Sequence, residues 1–587
     1  MKLRMLLAVL LLTPTMAQGA TPTYTADEKV THVLNRLTFG ARPGDEEKVR
    51  SLGVQAFIDA QLNPKTIAES PTVLSQLQKS GSSLNAPSSQ LLMVLRTETQ
   101  KRKAAKKAEA DAEARASKPM SDQAMADGTR PGGLTSGGPI SGRATAKQTM
   151  SESADMTDQA MSDQSMSDDG MSDQAMSDPA TPAKKAPGKL ARAARAGQGF
   201  NGAKKQKKAG QSGNYKKLTG IDAIETKLVR AVESPRQLNE MMSDFWFNHF
   251  NISMNKGADR VLVGAYEEQA IRPYVMSNFR DLLGATMHHP AMMFYLDNAQ
   301  NTKDGFQPLN PKVKNKGINE NYARELLELH SLGVDGGYTQ KDVMELARVL
   351  TGWTMPQPRR ASGDQYWAYF DARRHDFGEK VILGRTIKGT GGDEIEQVLD
   401  MLAVHPSTAR HISFKMAQYF VDDKPPESLV NKLSTRFTQT NGNIKSVLST
   451  LFSTSEFWDP KFKNNKFKSP FHYAVSAMRA TGMHADQPLA VQSFLKTQGQ
   501  PLYGCQTPDG YKNTKDAWLN PDGLLKRMDF ATKLAAAQLR VSQVDAQSIL
   551  KTINGGKLSA KTQKAIEGTS EQQKVAALLG SPEFMHY

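Results

Sequence analysis

The chain is 587 residues long, 39% hydrophobic and 7% aromatic, and carries 75 Lys plus Arg against 60 Asp plus Glu, a formal net charge of +15. No apolar run reaches the ~20 residues of a spanning helix, which excludes a polytopic helical membrane protein. One cysteine, Cys505, excludes an intramolecular disulfide framework and a Cys-based structural zinc site.

Residues 1–19 read as a secretion signal. Lys2 and Arg4 form a basic start, Met5 to Leu12 a short apolar run, and the small residues of "MAQGA" place cleavage after Gly19. The apolar run is too short for a membrane anchor, and no cysteine lies at the cleavage point to take a lipid. The expectation is a periplasmic or extracellular protein; the alternative is an uncleaved cytosolic N-terminus.

Residues 24–97 are expected to be helical. In "TADEKVTHVLNRLTFG" the spacing of Val30, Val33, Leu34 and Leu37 makes a one-sided stripe, stopped at Gly40. "DEEKVRSLGVQAFIDAQL" continues the pattern through Val49, Leu52, Phe57, Ile58 and Leu62.

At residues 98–217 the composition changes to a low-complexity insert. A near-repeat, "MTDQA MSDQS MSDDG MSDQA MSDPA", starts at Met156. Ser151 to Asp178 holds eight acids and no base, whereas Lys184 to Lys217 holds eleven bases and no acid. Such a segment cannot bury enough apolar area to offset its ordering entropy, so it is expected to be disordered. Those eleven bases account for most of the +15, since 15 − 11 leaves +4 for the rest of the chain. The basicity therefore belongs to the insert. The run 184–217 could be a solvated linker, or it could bind an anionic polymer. Metal chelation by the Met-Ser-Asp repeat is disfavoured, because hard oxygen and soft sulfur donors prefer different metals.

Residues 218–587 show helical periodicity throughout. Examples are Ile221, Ile224, Leu228 and Val232, then a helix capped by Ser234 with Pro235 in its first turn. Another carries a Thr339/Asp342 capping box and stops at Gly352. Alternating patterns are scarce; "QYWAYFDA" and "KVILG", flanking His375, suggest one short hairpin. The predicted class is mainly α, a multi-helix globular domain with few short strands, interrupted by the long disordered insert.

Seven of the eleven histidines lie between residues 249 and 411, each in a block with acids or amides. In "NENYARELLELHSLG", Tyr322, Leu326, Leu329 and Gly333 form a core ridge. Asn321, Glu325 and Glu328, at i, i+4 and i+7, line a polar face beside it. Two acids so placed would raise one another's pKa, which suits acid–base work or a divalent cation; alternatively Arg324 and lysines pair with them on a surface helix. His249 shares a face with Trp246, while Asn248 points aside. His289, preceding Pro290, is pushed extended. "HDFG" resembles a kinase magnesium motif without its companion motifs, and "VDGGYTQKD" reads as a Gly-rich turn rather than a calcium loop. No nucleophile elbow, zinc-protease helix, complete P-loop, dinucleotide fingerprint or haem attachment motif occurs.

The blocks "HVLNRLTFGARPG", "FWFNHF", "HHPAMMFYLDN", "NENYARELLELHSLGVDGGYTQKDV", "LTGW", "HDFGEKVILG" and "HPSTARHISFKMAQYFV" together resemble the uncharacterised bacterial family DUF1800. The resemblance covers nearly all of the mature chain except the insert. It implies a secreted or envelope-associated, mainly helical protein in the company of sulfatase-like or phosphatase-like secreted proteins. It supplies no activity and no catalytic residues.

Two functions follow as expectations. In the first, the two folded segments close over one polar site in which Glu325, Glu328 and His249 act catalytically. There His249, His289, Glu325 and His375 would bind a divalent ion (zinc, manganese or iron) for hydrolysis of an envelope or extracellular polymer. In the second, the protein is a non-catalytic scaffold that recruits partners through its charged insert.

Overall fold

Thr25 opens the first helix by a reciprocal cap. Its hydroxyl accepts from the Glu28 amide at 3.2 Å, and the Glu28 carboxylate accepts from the Thr25 amide at 3.0 Å. Two donors that a helix start leaves unpaired are thereby satisfied. Helix α1 (Ala26–Leu37) buries Val30, Val33, Leu34 and Leu37, the predicted stripe. The structure, a computed structural model, describes residues 24–116, 220–308, 317–356, 366–536, 546–553 and 556–587. Residues 1–19, expected from the sequence to be a signal, and most of the charged insert, with its repeats and its Lys-rich run 184–217, lie outside the described residues.

The apolar face expected to run from Val49 to Leu62 is broken in two. Gly53, at φ +89°, separates α2 (Asp45–Leu52) from α3 (Val54–Gln61). The break turns Leu52 outward to 54% exposure, while Val49, Ile58 and Leu62 stay in the core. Helix α4 (Pro71–Leu84) follows, then α5 (Ser88–Ala116), which continues past residue 97 into the stretch assigned to the insert.

The second part begins with α6 (Gly220–Glu233) and α7 (Gln237–His249). Ser234 does not cap α7 as expected. Its hydroxyl accepts from the Arg236 amide at 3.1 Å, and the helix starts three residues later, at Gln237. Next come α8 (Asp259–Tyr266), α9 (Phe279–His288), α10 (Pro290–Tyr295), α11 (Asn321–Glu328) and α12 (Gln340–Leu350). The Thr339/Asp342 capping box that opens α12 is present, with bonds of 3.3 and 2.8 Å. We expect Thr339→Ala to cost about 1 kcal/mol, read as a lower urea midpoint at an unchanged slope.

The hairpin expected across His375 does not form. Instead β1 (Trp353–Thr354) pairs with β2 (Tyr369–Phe370), and β3 (Lys380–Ile382) pairs with β4 (Arg385–Ile387). Leu383 and Gly384, both at positive φ, provide the two-residue turn that closes the second pair locally.

Beyond the strands lie α13 (Glu394–Ala403), α14 (Pro406–Phe420), α15 (Glu427–Gln439), α16 (Ile444–Ser453), α17 (Pro470–Ala480), α18 (Pro488–Thr497), α19 (Lys515–Trp518) and α20 (Pro521–Ala535). The two sequence-separated parts share one hydrophobic core. Polar bonds tie them as well. Arg479 of α17 donates to the Gly40 carbonyl at 2.6 Å, to the Val232 carbonyl at 2.8 Å and to Asp45 at 3.1 Å. His32 of α1 is bonded to the Phe457 carbonyl at 2.9 Å. The class is mainly α, and among the described residues no helix is long and apolar enough to cross a membrane.

Candidate functional site

Three histidines and a lysine from separate elements meet at the end of α7. His249 is its last residue, held beside Trp246 with ring centroids 5.5 Å apart. His330 sits in the turn after α11, where its amide donates to the Glu325 carbonyl at 3.0 Å. His411 and Lys415 lie one turn apart on α14. The His249 ring lies 6.3 Å from the His330 ring and 6.1 Å from the His411 ring. Gly333, at φ +89°, permits this approach, since a Cβ there would lie 3.0 Å from His411 Nδ1.

The bonds fix the tautomer of His249. A carbonyl can only accept, so His249 Nε2–H donates to the His330 carbonyl at 3.2 Å. Its Nδ1 lone pair then accepts from Lys415 Nζ at 2.8 Å. Burial, reinforced by the Lys415 charge, lowers the His330 pKa to about 3 and the His411 pKa to about 4, and holds that of His249 well below the usual imidazole range. At neutral pH all three rings are therefore uncharged. The Nε2 atoms of His330 and His411 are buried without a hydrogen-bond partner.

Lys415 carries the charge of this cluster. Among the described residues no carboxylate forms an ion pair with it. Burial lowers its pKa to about 8, with Asp509 pulling it back up and Lys512 pushing it further down. Glu325 is displaced in the opposite sense, to about 6, by burial first and then by the Glu328 charge; Arg324 opposes the shift and Asp509 adds to it. Asp509 thus acts on both groups. Arg324 does not neutralise Glu325 as the alternative reading supposed; it donates to Glu320 at 3.0 Å and to Gln340 at 2.9 Å. Glu328 accepts from the Tyr338 hydroxyl at 2.9 Å, and Asn321 lies exposed. Among the described residues no hydrogen bond or ion pair holds the Glu325 carboxylate.

The segment around Asp509 is pinned over the end of α7. Asn248 exchanges two bonds of 2.8 Å with the Tyr511 backbone. Asn251 donates to the Thr507 carbonyl at 2.8 Å, and the Tyr295 hydroxyl donates to the Gln506 carbonyl at 2.8 Å. Gly510 is required here, because a Cβ would fall 2.2 Å from the Asn248 carbonyl oxygen. Asn248, read from the sequence as pointing aside, is the clamp.

The other predicted ligands lie elsewhere. His289 caps α10, its Nδ1 accepting from the Ala291 amide at 3.2 Å, and its ring is walled by Tyr266 and Trp367. Both ring nitrogens of His375 face acceptors: the Thr351 carbonyl at 2.7 Å and Glu394 Oε1 at 2.9 Å. No hydrogen bond, ion pair or ring contact links His289 or His375 to His249 or Glu325. Among the described residues no three His, Cys, Asp or Glu side chains are placed to hold one metal ion. The four-ligand metal centre is corrected accordingly. His249 and Glu325 stay with the candidate site, whereas His289 is spent on a helix cap and His375 on its contact with the buried Glu394 carboxylate.

Sequence reasoning missed Lys415 and Asp509. Lys415 had a signal, its i+4 spacing from His411 on a helical block. Asp509 sits in an aperiodic loop and had none.

A family profile, Protein of unknown function (DUF1800), matches residues 32–586. The chain belongs to the DUF1800 family. No curated protein and no solved structure matches it. His249, Glu325, His330, His411, Lys415 and Asp509 all lie inside the DUF1800 match.

Proposed function

We propose that this DUF1800 protein is an exported acid–base hydrolase acting on a cell-envelope or extracellular polymer. The observation that carries the reading is Lys415: a cation packed against uncharged imidazoles that forms no ion pair among the described residues and feels the same Asp509 charge as the unpaired Glu325. Between pH about 6 and about 8, Glu325 is ionised and Lys415 protonated. Glu325 then takes a proton from water, the hydroxyl oxygen attacks the scissile centre, and Lys415 supplies a proton to the departing oxygen. His249 positions the ammonium through Nδ1, and burial, with the Glu328 charge behind it, holds Glu325 high. No step is assigned to a metal, because the four expected ligands do not converge. The export half of the reading rests on the signal pattern of residues 1–19.

The test is incubation of the mature protein with purified peptidoglycan and with exopolysaccharide, followed by assay of released soluble fragments and new reducing ends. Release that disappears in Glu325→Gln and Lys415→Met supports the reading. No release from a folded wild type, together with retention of polymer or of a sulfatase-like or phosphatase-like partner on the immobilised protein, favours a non-catalytic scaffold. The Lys-rich run 184–217 supports that second reading. It predicts that pelleting with an anionic polymer weakens steeply with salt and is lost when 184–217 is deleted.

A further inference from the structure

A second cluster of cations is buried among aromatic rings, with acids only at its rim, where Asp422 and Asp423 act on Arg36. Arg36 on α1, Lys468 just before α17, His472 in the first turn of α17 and Arg527 on α20 are each at most 5% exposed. Arg36 uses Nη2 on the Phe462 carbonyl at 2.5 Å and on Asn465 at 2.7 Å, and its Nε and Nη1 have no partner. Arg527 uses Nη2 on the Lys468 carbonyl at 2.9 Å, and again Nε and Nη1 have none. His472 Nε2 is also unpartnered. Lys468 donates only to the Ser476 hydroxyl, at 2.8 Å, and lies 4.0 Å from the centre of the Phe584 ring.

These groups share one neighbourhood. The Tyr587 ring lies 4.3 Å from the His472 ring and 5.2 Å from the Arg36 guanidinium. Arg527 lies over the Phe467 ring at 4.6 Å and the Tyr473 ring at 4.9 Å. His472 is held uncharged first by burial and then by Lys468, Arg36, Lys466 and Arg527. Two acids stand at the rim. Asp423 pairs with Lys466 and Asp422 accepts from Asn465. Among the described residues no carboxylate reaches Lys468 or Arg527.

Aromatic faces soften such a cluster but do not supply hydrogen-bond acceptors. Four unpaired buried guanidinium nitrogens, with an unpartnered imidazole nitrogen in the same cluster, call for an acceptor with several oxygens. The planar fork of a guanidinium matches a tetrahedral oxyanion. We propose that Arg36, Lys468, His472 and Arg527 bind a small tetrahedral oxyanion of the phosphate or sulfate class, enclosed between α1, α17 and α20. Its depth suits a retained structural ion rather than a substrate. It would tie the N-terminal helix to the C-terminal helices, independently of the Glu325–Lys415 site.

The test uses the full chain, unfolded and refolded in phosphate- and sulfate-free buffer. Thermal unfolding is then followed against added phosphate, and separately against added sulfate, with ionic strength held by chloride. The expected result is a saturating rise in Tm of roughly 3–5 °C at an anion concentration near one hundred times Kd. Lys468→Met should remove that rise. It should also unfold at a higher temperature than wild type in chloride alone, because it deletes one member of an uncompensated cluster. A wild-type Tm that stays flat, or that climbs without saturating and in parallel with Lys468→Met as general salt exclusion would produce, overturns the proposal. Should the variant not fold, calorimetric titration of the wild type with inorganic phosphate decides: saturating heat at one anion per chain supports the site, and no heat overturns it.

Discussion

On the proposed acid–base reading, Glu325→Gln is expected to lower polymer turnover by about two to four orders of magnitude, the size of effect that loss of a general base produces, and to leave the fold intact. The pH profile says more than the rate. In wild type, activity is expected to rise as Glu325 ionises near pH 6 and to fall as Lys415 loses its proton near pH 8. The residual activity of Glu325→Gln should lack the acidic limb, and that of Lys415→Met the basic limb. A stability measurement separates this role from a structural one. The Glu325 carboxyl titrates higher in the folded chain than in the unfolded chain, from 4.5 to about 6. Its stabilising contribution is therefore complete below pH about 4.5 and is lost as pH climbs through about 6. A glutamine keeps the uncharged form at every pH. Glu325→Gln should thus melt higher than wild type at pH 7 and together with it at pH 4. An inactive variant that is also less stable at pH 7 would make Glu325 a packing residue, and the hydrolase reading would lose its base.

What the sequence could and could not convey follows from where each force acts. Periodicity reports burial of one face of a local helix. Hence α1 is legible with its core residues and α6 with Ile224, Leu228 and Val232, while α12 is legible from its Thr339/Asp342 cap, read three residues apart. The α2–α3 break was missed because an apolar count sees Leu52 but not the left-handed backbone of Gly53. The hairpin across His375 failed for a related reason: Leu383 and Gly384 close a tighter local turn. At the site, His249 meets His330, His411 and Lys415 because α7, the turn after α11 and α14 come together, a tertiary fact. His375 looked like a ligand because imidazoles with nearby acids do. Its acid, Glu394, lies nineteen residues on and is shared with Lys380.

That shared acid carries the second large effect. Glu394 has no exposed side-chain surface; it accepts from Lys380 Nζ at 2.6 Å through one oxygen and lies 2.9 Å from His375 Nε2 through the other. The Gly391 amide adds a third bond at 2.9 Å. Burial alone would push this carboxyl's pKa up, but the bonds from His375, Lys380 and Gly391 outweigh it and hold the pKa below the ordinary value. The sign is then the reverse of that at Glu325. The contribution is present above the unfolded carboxylate pKa and is lost as pH falls through the depressed folded value. Glu394→Ala removes the acceptor and leaves Lys380, itself fully buried, facing only the Asp376 carbonyl. Breaking one side of a buried pair in this way costs about 3–5 kcal/mol, so Glu394→Ala should unfold at much lower urea than wild type. The double variant Lys380→Met with Glu394→Leu, which deletes both charges and keeps the volume, should recover most of the loss. A loss in Glu394→Ala below about 1 kcal/mol, within the range of surface ion pairs, would mean that water reaches the triad and that His375 is free for other work.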